Sequence, residues 1–182
     1  MKNSEASINY HPLDKISFYT HKNSFIQLYI DAFSHGETAQ YIPMDEAATV
    51  MNRLMMEGKG WSVFVENVLV GCIIYHPFAL HEKSVDVDFP DIDIKKTAYI
   101  SEVMVAPNFQ NKGIASVILE KTLKDISQSY NSVVIRVWNK NKSALHLYEK
   151  KGFKPFASIT QTKLASENET FEMQKIYMIK NF

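Results

Sequence analysis

The chain lacks a second cysteine, a net charge and a long apolar run, and each absence closes off a class of proteins. Its one cysteine, Cys72, rules out an intrachain disulfide and suits a reducing compartment. Lys plus Arg number 20 and Asp plus Glu number 20, for a formal net charge of zero. A general nucleic-acid binder would carry a basic excess. No apolar stretch approaches the ~20 residues that span a bilayer, and the polar residues 1–10 contain no apolar signal core. Repeats and low-complexity tracts are missing, and the His and Asp residues show no metal-ligand spacing. The expectation is a cytoplasmic protein with no nucleic-acid, membrane or metal partner.

What is present is ordinary for a globular chain. Hydrophobic residues make up 46% of the 182 and charged residues 22%, enough to bury a core without disulfides or metal. A single domain over 1–182 is expected, with 1–10 as a loose lead-in. Apolar spacing at Phe25, Leu28, Tyr29, Ala32 and Phe33 predicts a helix over 23–33. Asp45 reads as the N-cap of a second helix ending near Gly58, with its methionines packed in the core. Residues 61–66 and 68–75 read as a hairpin turning at Asn67, and Cys72 within it as a small buried hydrophobe. A loop over 78–96 leads to a strand at Thr97–Val105. A helix from 113 to about 129 follows, then a strand at 133–138 that is apolar on both faces. The helix over 142–151 is closed by Gly152, and strands near 153–162 and 170–180 end the chain. The unit 97–138 is a β-α-β crossover, whose strands run parallel with a right-handed connection. The fold class is therefore α/β or α+β, a mixed sheet with helices on both faces.

The turn between the strand and helix of that crossover carries the chemistry. Pro107 has no N–H to donate and stops the strand. Gly113 permits backbone angles that a Cβ forbids, and small Ala115 lets the helix lie close to the sheet or to a ligand. The first amides of a helix have no intrahelical acceptor, and the helix dipole makes that end positive. A diphosphate is a natural partner for them, and Lys112 adds charge at the rim. Many such turns bind nothing, so the turn alone leaves an anion site and a plain connection both open. The glycines that a Gly-Lys-Ser/Thr phosphate loop or a dinucleotide fingerprint needs are missing.

Two blocks of residues point further. Gln110, Asn111, Lys112, Gly113, Ile114 and Ala115, preceded by Val105, Ala106 and Pro107, resemble the acetyl-CoA signature of the GNAT superfamily, Q/R-x-x-G-x-G/A after V-x-P. Asn111 stands where many members carry Gly. Downstream, Asn141, Ala144, Leu147, Tyr148, Glu149, Lys150, Gly152 and Phe153 look like the family's N-x-x-A-x-x-L-Y-E-K-x-G-F block. There Asn141 fits both a helix cap and the family's asparagine.

The resemblance implies a mostly antiparallel twisted sheet around the parallel crossover. It also implies acetyl-CoA as co-substrate, with acetyl passing directly to a primary amine of a small molecule or peptide. Coenzyme contacts would fall at Val103, Val105, Gln110, Asn111, Lys112, Gly113, Ile114, Ala115 and Asn141. A freed backbone N–H at Val103 or Val105 would meet the acetyl carbonyl. Tyr148 would attend the departing thiolate, since a phenol of ordinary pKa about 10 keeps its proton at neutral pH. Glu102 is the first candidate for general base. Simple alternation turns it away from Tyr99, Ser101, Val103 and Val105, whereas family bases often share the facing of that set. His76, His146 and a water chain are the other candidates.

The substrate side is less marked. Asp86, Asp88, Asp91 and Asp93 form an acidic run that reads as a solvated loop or as a lure for a cationic amine. Phe33, Tyr41 and Trp61 read as core residues or as an acceptor wall. A homodimer would follow superfamily habit. Two rival readings stay open: a non-catalytic acyl-CoA sensor or scaffold, and a transferase for a longer acyl group.

Overall fold

In the computed structural model, which describes residues 7–36, 39–82, 89 and 92–182, an edge strand β1 (Ile8–Leu13) comes first. Helices α1 (Lys15–Thr20), α2 (Lys22–Phe33) and α3 (Met44–Glu57) follow. The hairpin β2 (Lys59–Val65) and β3 (Val68–Pro77) leads into a short helix α4 (Phe78–Glu82). Then come β4 (Thr97–Val105), α5 (Ile114–Ile126), β5 (Ser132–Trp138) and α6 (Lys142–Lys150). Strands β6 (Lys154–Leu164) and β7 (Thr170–Asn181) close the chain. The strands form one seven-stranded sheet in the order β1-β2-β3-β4-β5-β7-β6. Among the described residues β4 and β5 form its one parallel pair, as the crossover predicts.

Several local expectations change. Residues 8–10, expected in a loose lead-in, belong to a strand, because Ile8 pairs with Val65 and Leu13 with Gly60 along β2; residues 1–6 lie outside the described residues. An edge strand exposed over most of its length writes almost no hydrophobic pattern, so the sequence hides it. Helix α3 takes Pro43, not Asp45, as its cap. Asp45 and Glu46 lie in its first turn, where their charge complements the helix dipole. The expected loop over 78–96 contains α4 and a 3-10 turn, Ile94–Lys96, capped by Asp93, whose Oδ1 accepts from the Lys95 amide at 3.1 Å. Asp86, Asp88 and Asp91 lie outside the described residues.

The two faces of the sheet are covered differently. On one, Ile114, Ile118, Leu119 and Ile126 of α5 pack on Val63, Ile73, Ile100 and Ile135. On the other, Phe25, Met51 and Met55 of α2 and α3 cover Cys72, Ile74 and Met104. The core methionines are thus packing residues, and burial pushes the Cys72 thiol well up. Trp61 belongs to the α5 face. Its indole Nε1 donates to Asp125 Oδ2 at 2.8 Å, and Lys121 Nζ sits 4.5 Å over its ring. That facing removes it from the acceptor wall.

One discontinuity positions the site. β4 pairs with β5 only from Thr97–Ser132 to Ile100–Ile135. Beyond that point β4 continues along β3 to Val105, while β5 continues along β7 to Trp138. The two central strands therefore part, and the facing edges of 101–105 and 136–138 are left without a ladder.

Candidate active site

The gap between the parted strands opens into a cleft of about 770 Å³. β4, the start of α5, α6 and the connection between α2 and α3 line it. At one end stands the turn from 110 to 115. Asn111 (φ 60°) and Gly113 (φ 80°) both take left-handed backbone angles. Asn is among the few residues that visit this region routinely, so its replacement of the more usual Gly leaves the turn intact. Val117 makes the first helical bond, to the Gly113 carbonyl at 3.1 Å. Among the described residues no acceptor meets the amides of 111–116. The Gln110 side chain donates back to the Val105 carbonyl at 3.2 Å and closes the loop. A Cβ on Gly113 would meet nothing within 4 Å, so the space beside these amides is open.

Of the residues expected around a coenzyme, Val103, Val105, Gln110, Asn111, Gly113, Ile114, Ala115 and Asn141 line this cleft. The Lys112 side chain does not; its Nζ lies 4.9 Å over the Phe109 ring. Asn141 caps α6, its Oδ1 accepting from the Ala144 amide at 3.1 Å. Phe33 lines the cleft, whereas Tyr41 lies outside it.

At the other end, Glu102 and Tyr148 share the cleft wall. Strict alternation had turned Glu102 away from Tyr99, but the register corrects this. Ile74 lies opposite Glu102 and Tyr75 opposite Ile100, which leaves Ser101 as a bulge. Ile74 and His76 share a face of β3, so their partners Glu102 and Tyr99 share one as well. Burial pushes the Glu102 carboxyl up to about 7, against the pull of Lys175, Arg136, Lys163 and Arg53. Burial, with Glu102 and Tyr99 nearby, raises the Tyr148 hydroxyl well above the usual phenol value. A carboxylate poised near neutrality can take a proton, and a phenol held protonated can donate a hydrogen bond. Ser101 Oγ, sealed in the bulge, has no partner among the described residues.

The other base candidates stand apart. His76 Nδ1 lies 2.9 Å from the Pro77 carbonyl and its ring packs 5.4 Å from that of Tyr99. Burial lowers its pKa, and it does not line the cleft. His146 is exposed at the cleft rim.

Two charged residues on the sheet wall of the cleft escape the sequence reading: Arg136 of β5 and Lys175 of β7. A single signal pointed to Arg136, a cation in the middle of an otherwise apolar strand. Lys175 gave none, because alternating polar positions are common in closing strands. Burial, then Arg136 and Lys163, holds the Lys175 ammonium well below its ordinary pKa.

Residues 22–153 match the family described as Acetyltransferase (GNAT) family. No curated protein sequence matches the chain. Among solved structures, an N-acetyltransferase from Staphylococcus aureus Mu50 aligns over 97% of this chain and 99% of its own, with TM-score 0.69 and 15% identity. The ribosomal-protein-alanine N-acetyltransferase from Brucella melitensis aligns over 97% and 99%, with TM-score 0.67 and 15% identity. The yncA protein from Salmonella typhimurium, solved with its cofactor acetyl-CoA, aligns over 97% and 94%, with TM-score 0.66 and 16% identity. At such identities the likeness is one of fold.

Proposed function

Because the chain belongs to the acetyltransferase (GNAT) family, we propose that it is an N-acetyltransferase, moving acetyl from acetyl-CoA to a primary amine of a small molecule or peptide. The observation that carries this reading is the row of amides at 111–116 that meet no acceptor among the described residues, beside open space. Amides in that state suit the diphosphate of a coenzyme, and the missing Cβ of Gly113 leaves it room.

Acetyl-CoA, when bound, supplies an activated thioester. The protein's residues do the rest. A backbone N–H of Val103 or Val105, on the freed edge of β4, donates to the acetyl oxygen as it gains charge. Such a donor is worth about 2.7–4 kcal/mol in acyl transfer. Glu102 takes the proton of the attacking amine. The C–N bond forms as the C–S bond breaks, and the Tyr148 hydroxyl hydrogen-bonds the departing sulfur. We place the reaction in the cytoplasm, a reducing compartment that suits the lone thiol of Cys72.

Thermal unfolding with acetyl-CoA tests the binding half. Ligand at about 100 times its Kd stabilises the fold by about 2.7 kcal/mol, and an unmoved transition overturns the reading. A thiol reagent then follows CoA release over a panel of amines. A thermal shift without release on any amine assigns the chain to coenzyme sensing instead. Gly113→Val is expected to weaken acetyl-CoA about tenfold, equal to about 1.4 kcal/mol, because its branched side chain enters the cradle. Calorimetric titration reads that loss directly.

A further inference from the structure

We infer, building on the acetyl-transfer reading, that the acceptor carries a carboxylate beside its amine: a small amino acid and not a plain alkylamine. Glu102, Arg136 and Lys175 line one cleft but come from three strands, β4, β5 and β7. Arg136 lies opposite Tyr177 and Trp138 opposite Lys175. Residues two apart on a strand share a face, so Arg136 and Lys175 are diagonal neighbours, about 7–8 Å apart at the backbone. On that face Arg136 stands across the parted strands from Glu102.

One acid here faces two cations: Glu102 supports the charge of both Arg136 and Lys175. Among the described residues, no ion pair joins Glu102 to Arg136 or Lys175. Arg136 Nη1 donates to the Tyr177 hydroxyl at a long 3.4 Å, and the Tyr99 phenol acts on the same guanidinium. Both partners are neutral phenols. The Lys175 ammonium has no hydrogen-bond partner among the described residues. Glu102 is the one acid acting on Lys175, while Lys163 and Arg53 add positive potential around Glu102. His81 is stacked 3.7 Å over Tyr99, lies 3.0 Å from the Tyr177 hydroxyl and is held uncharged at neutral pH by its burial.

Two half-buried cations that share one acid, with no salt bridge among the described residues, are costly, and a guanidinium fork matches a carboxylate edge-on. The wall thus asks for an anion at Arg136 and Lys175 and for an amine at Glu102. An amino-carboxylate meets both demands, with its nitrogen held for attack on the thioester carbon and its proton passing to Glu102. The coenzyme's diphosphate is served at the far end, by the amides of α5. The entrance also favours a small acceptor. The Tyr41 amide donates to the Leu164 carbonyl at 2.9 Å and its hydroxyl to Glu167 Oε1 at 3.1 Å. These bonds tie the α2–α3 connection to the β6–β7 turn, so Phe33 and Gln40 on one side and Met173 and Lys175 on the other bound the cleft.

Matched acceptors separate the two kinds of amine with the wild-type chain alone. Phenylalanine is compared with phenethylamine, and methionine with 3-(methylthio)propylamine, each with acetyl-CoA and thiol release as the readout. Phosphoethanolamine is the third arm. The amino acid of each pair is expected to exceed its decarboxylated partner about tenfold or more in kcat/KM, the range of a charge-assisted hydrogen bond. Arg136→Gln is expected to bring that ratio near parity with the Kd for acetyl-CoA unchanged. Parity in the wild type, or preference for the plain amines, overturns the inference and leaves acetyl transfer standing. Preference for phosphoethanolamine replaces the carboxylate by a phosphate and overturns it equally. A matching loss of acetyl-CoA affinity in Arg136→Gln assigns Arg136 to the coenzyme and overturns it too. If no acceptor releases thiol although acetyl-CoA binds, both readings fall. Should Arg136→Gln not fold, the wild-type ratios still distinguish an amino-carboxylate from a plain amine.

Discussion

Glu102→Gln is expected to lower kcat by about 10²–10⁴-fold, the usual share of a positioned proton acceptor. On the proposed mechanism the amide cannot take the proton of the attacking amine. Burial holds the Glu102 carboxyl up at about 7, so in the wild type the base is switched off below that pH. The wild-type rate therefore rises as pH climbs through about 7. In the variant that inflection disappears, leaving only the acceptor's own deprotonation at higher pH. A profile that keeps its inflection removes Glu102 from the role.

The same substitution has a stability consequence of opposite sign. The folded state holds the Glu102 proton above its ordinary value of 4.5, so the fold binds that proton more tightly than the unfolded chain does. Stability is full below about 4.5 and is lost as pH rises through about 7. Glutamine removes the loss. At about 1.36 kcal/mol per pKa unit, and with Lys175 losing the acid that supports its charge, the gain near pH 8 is about 1–3 kcal/mol. Most of it is gone by about pH 4. Thermal unfolding of both proteins at the two pH values measures it, and equal transitions at the higher one contradict the buried-carboxyl account.

Tyr148→Phe is expected to lower kcat by about 10- to 100-fold, with little change in acetyl-CoA affinity. Tyr148 is 6% exposed, and Glu102 and Tyr99 add to the burial that raises its hydroxyl above the phenol range. A group so weakly acidic contributes chiefly as a hydrogen-bond donor to the charged sulfur, worth about 1.5–3 kcal/mol. Phenylalanine keeps the packing against Phe153, 5.9 Å away, and deletes only the donor. Single-turnover rates against calorimetric Kd separate the two effects. An unchanged rate takes Tyr148 out of the chemistry.

The amino-acid sequence by itself determined whatever depends on neighbours along the chain. The crossover from Thr97–Val105 through α5 to β5 follows from periodicity and from the Pro107 and Gly113 stops. The open amides at 114–116 follow from the first turn of a helix, and the Asn141 cap from a side chain that reaches its own backbone. Tertiary structure decided what depends on strands meeting across the sheet. The bulge at Ser101 is a register event between β3 and β4, and it alone turns Glu102 onto the face of Tyr99. Arg136 and Lys175 become neighbours because β7 inserts between β5 and β6, and Trp61 goes to the α5 face because Asp125 awaits it there. Periodicity records which side of an element is apolar. Which strand lies opposite, and in what register, is set by partners far along the chain.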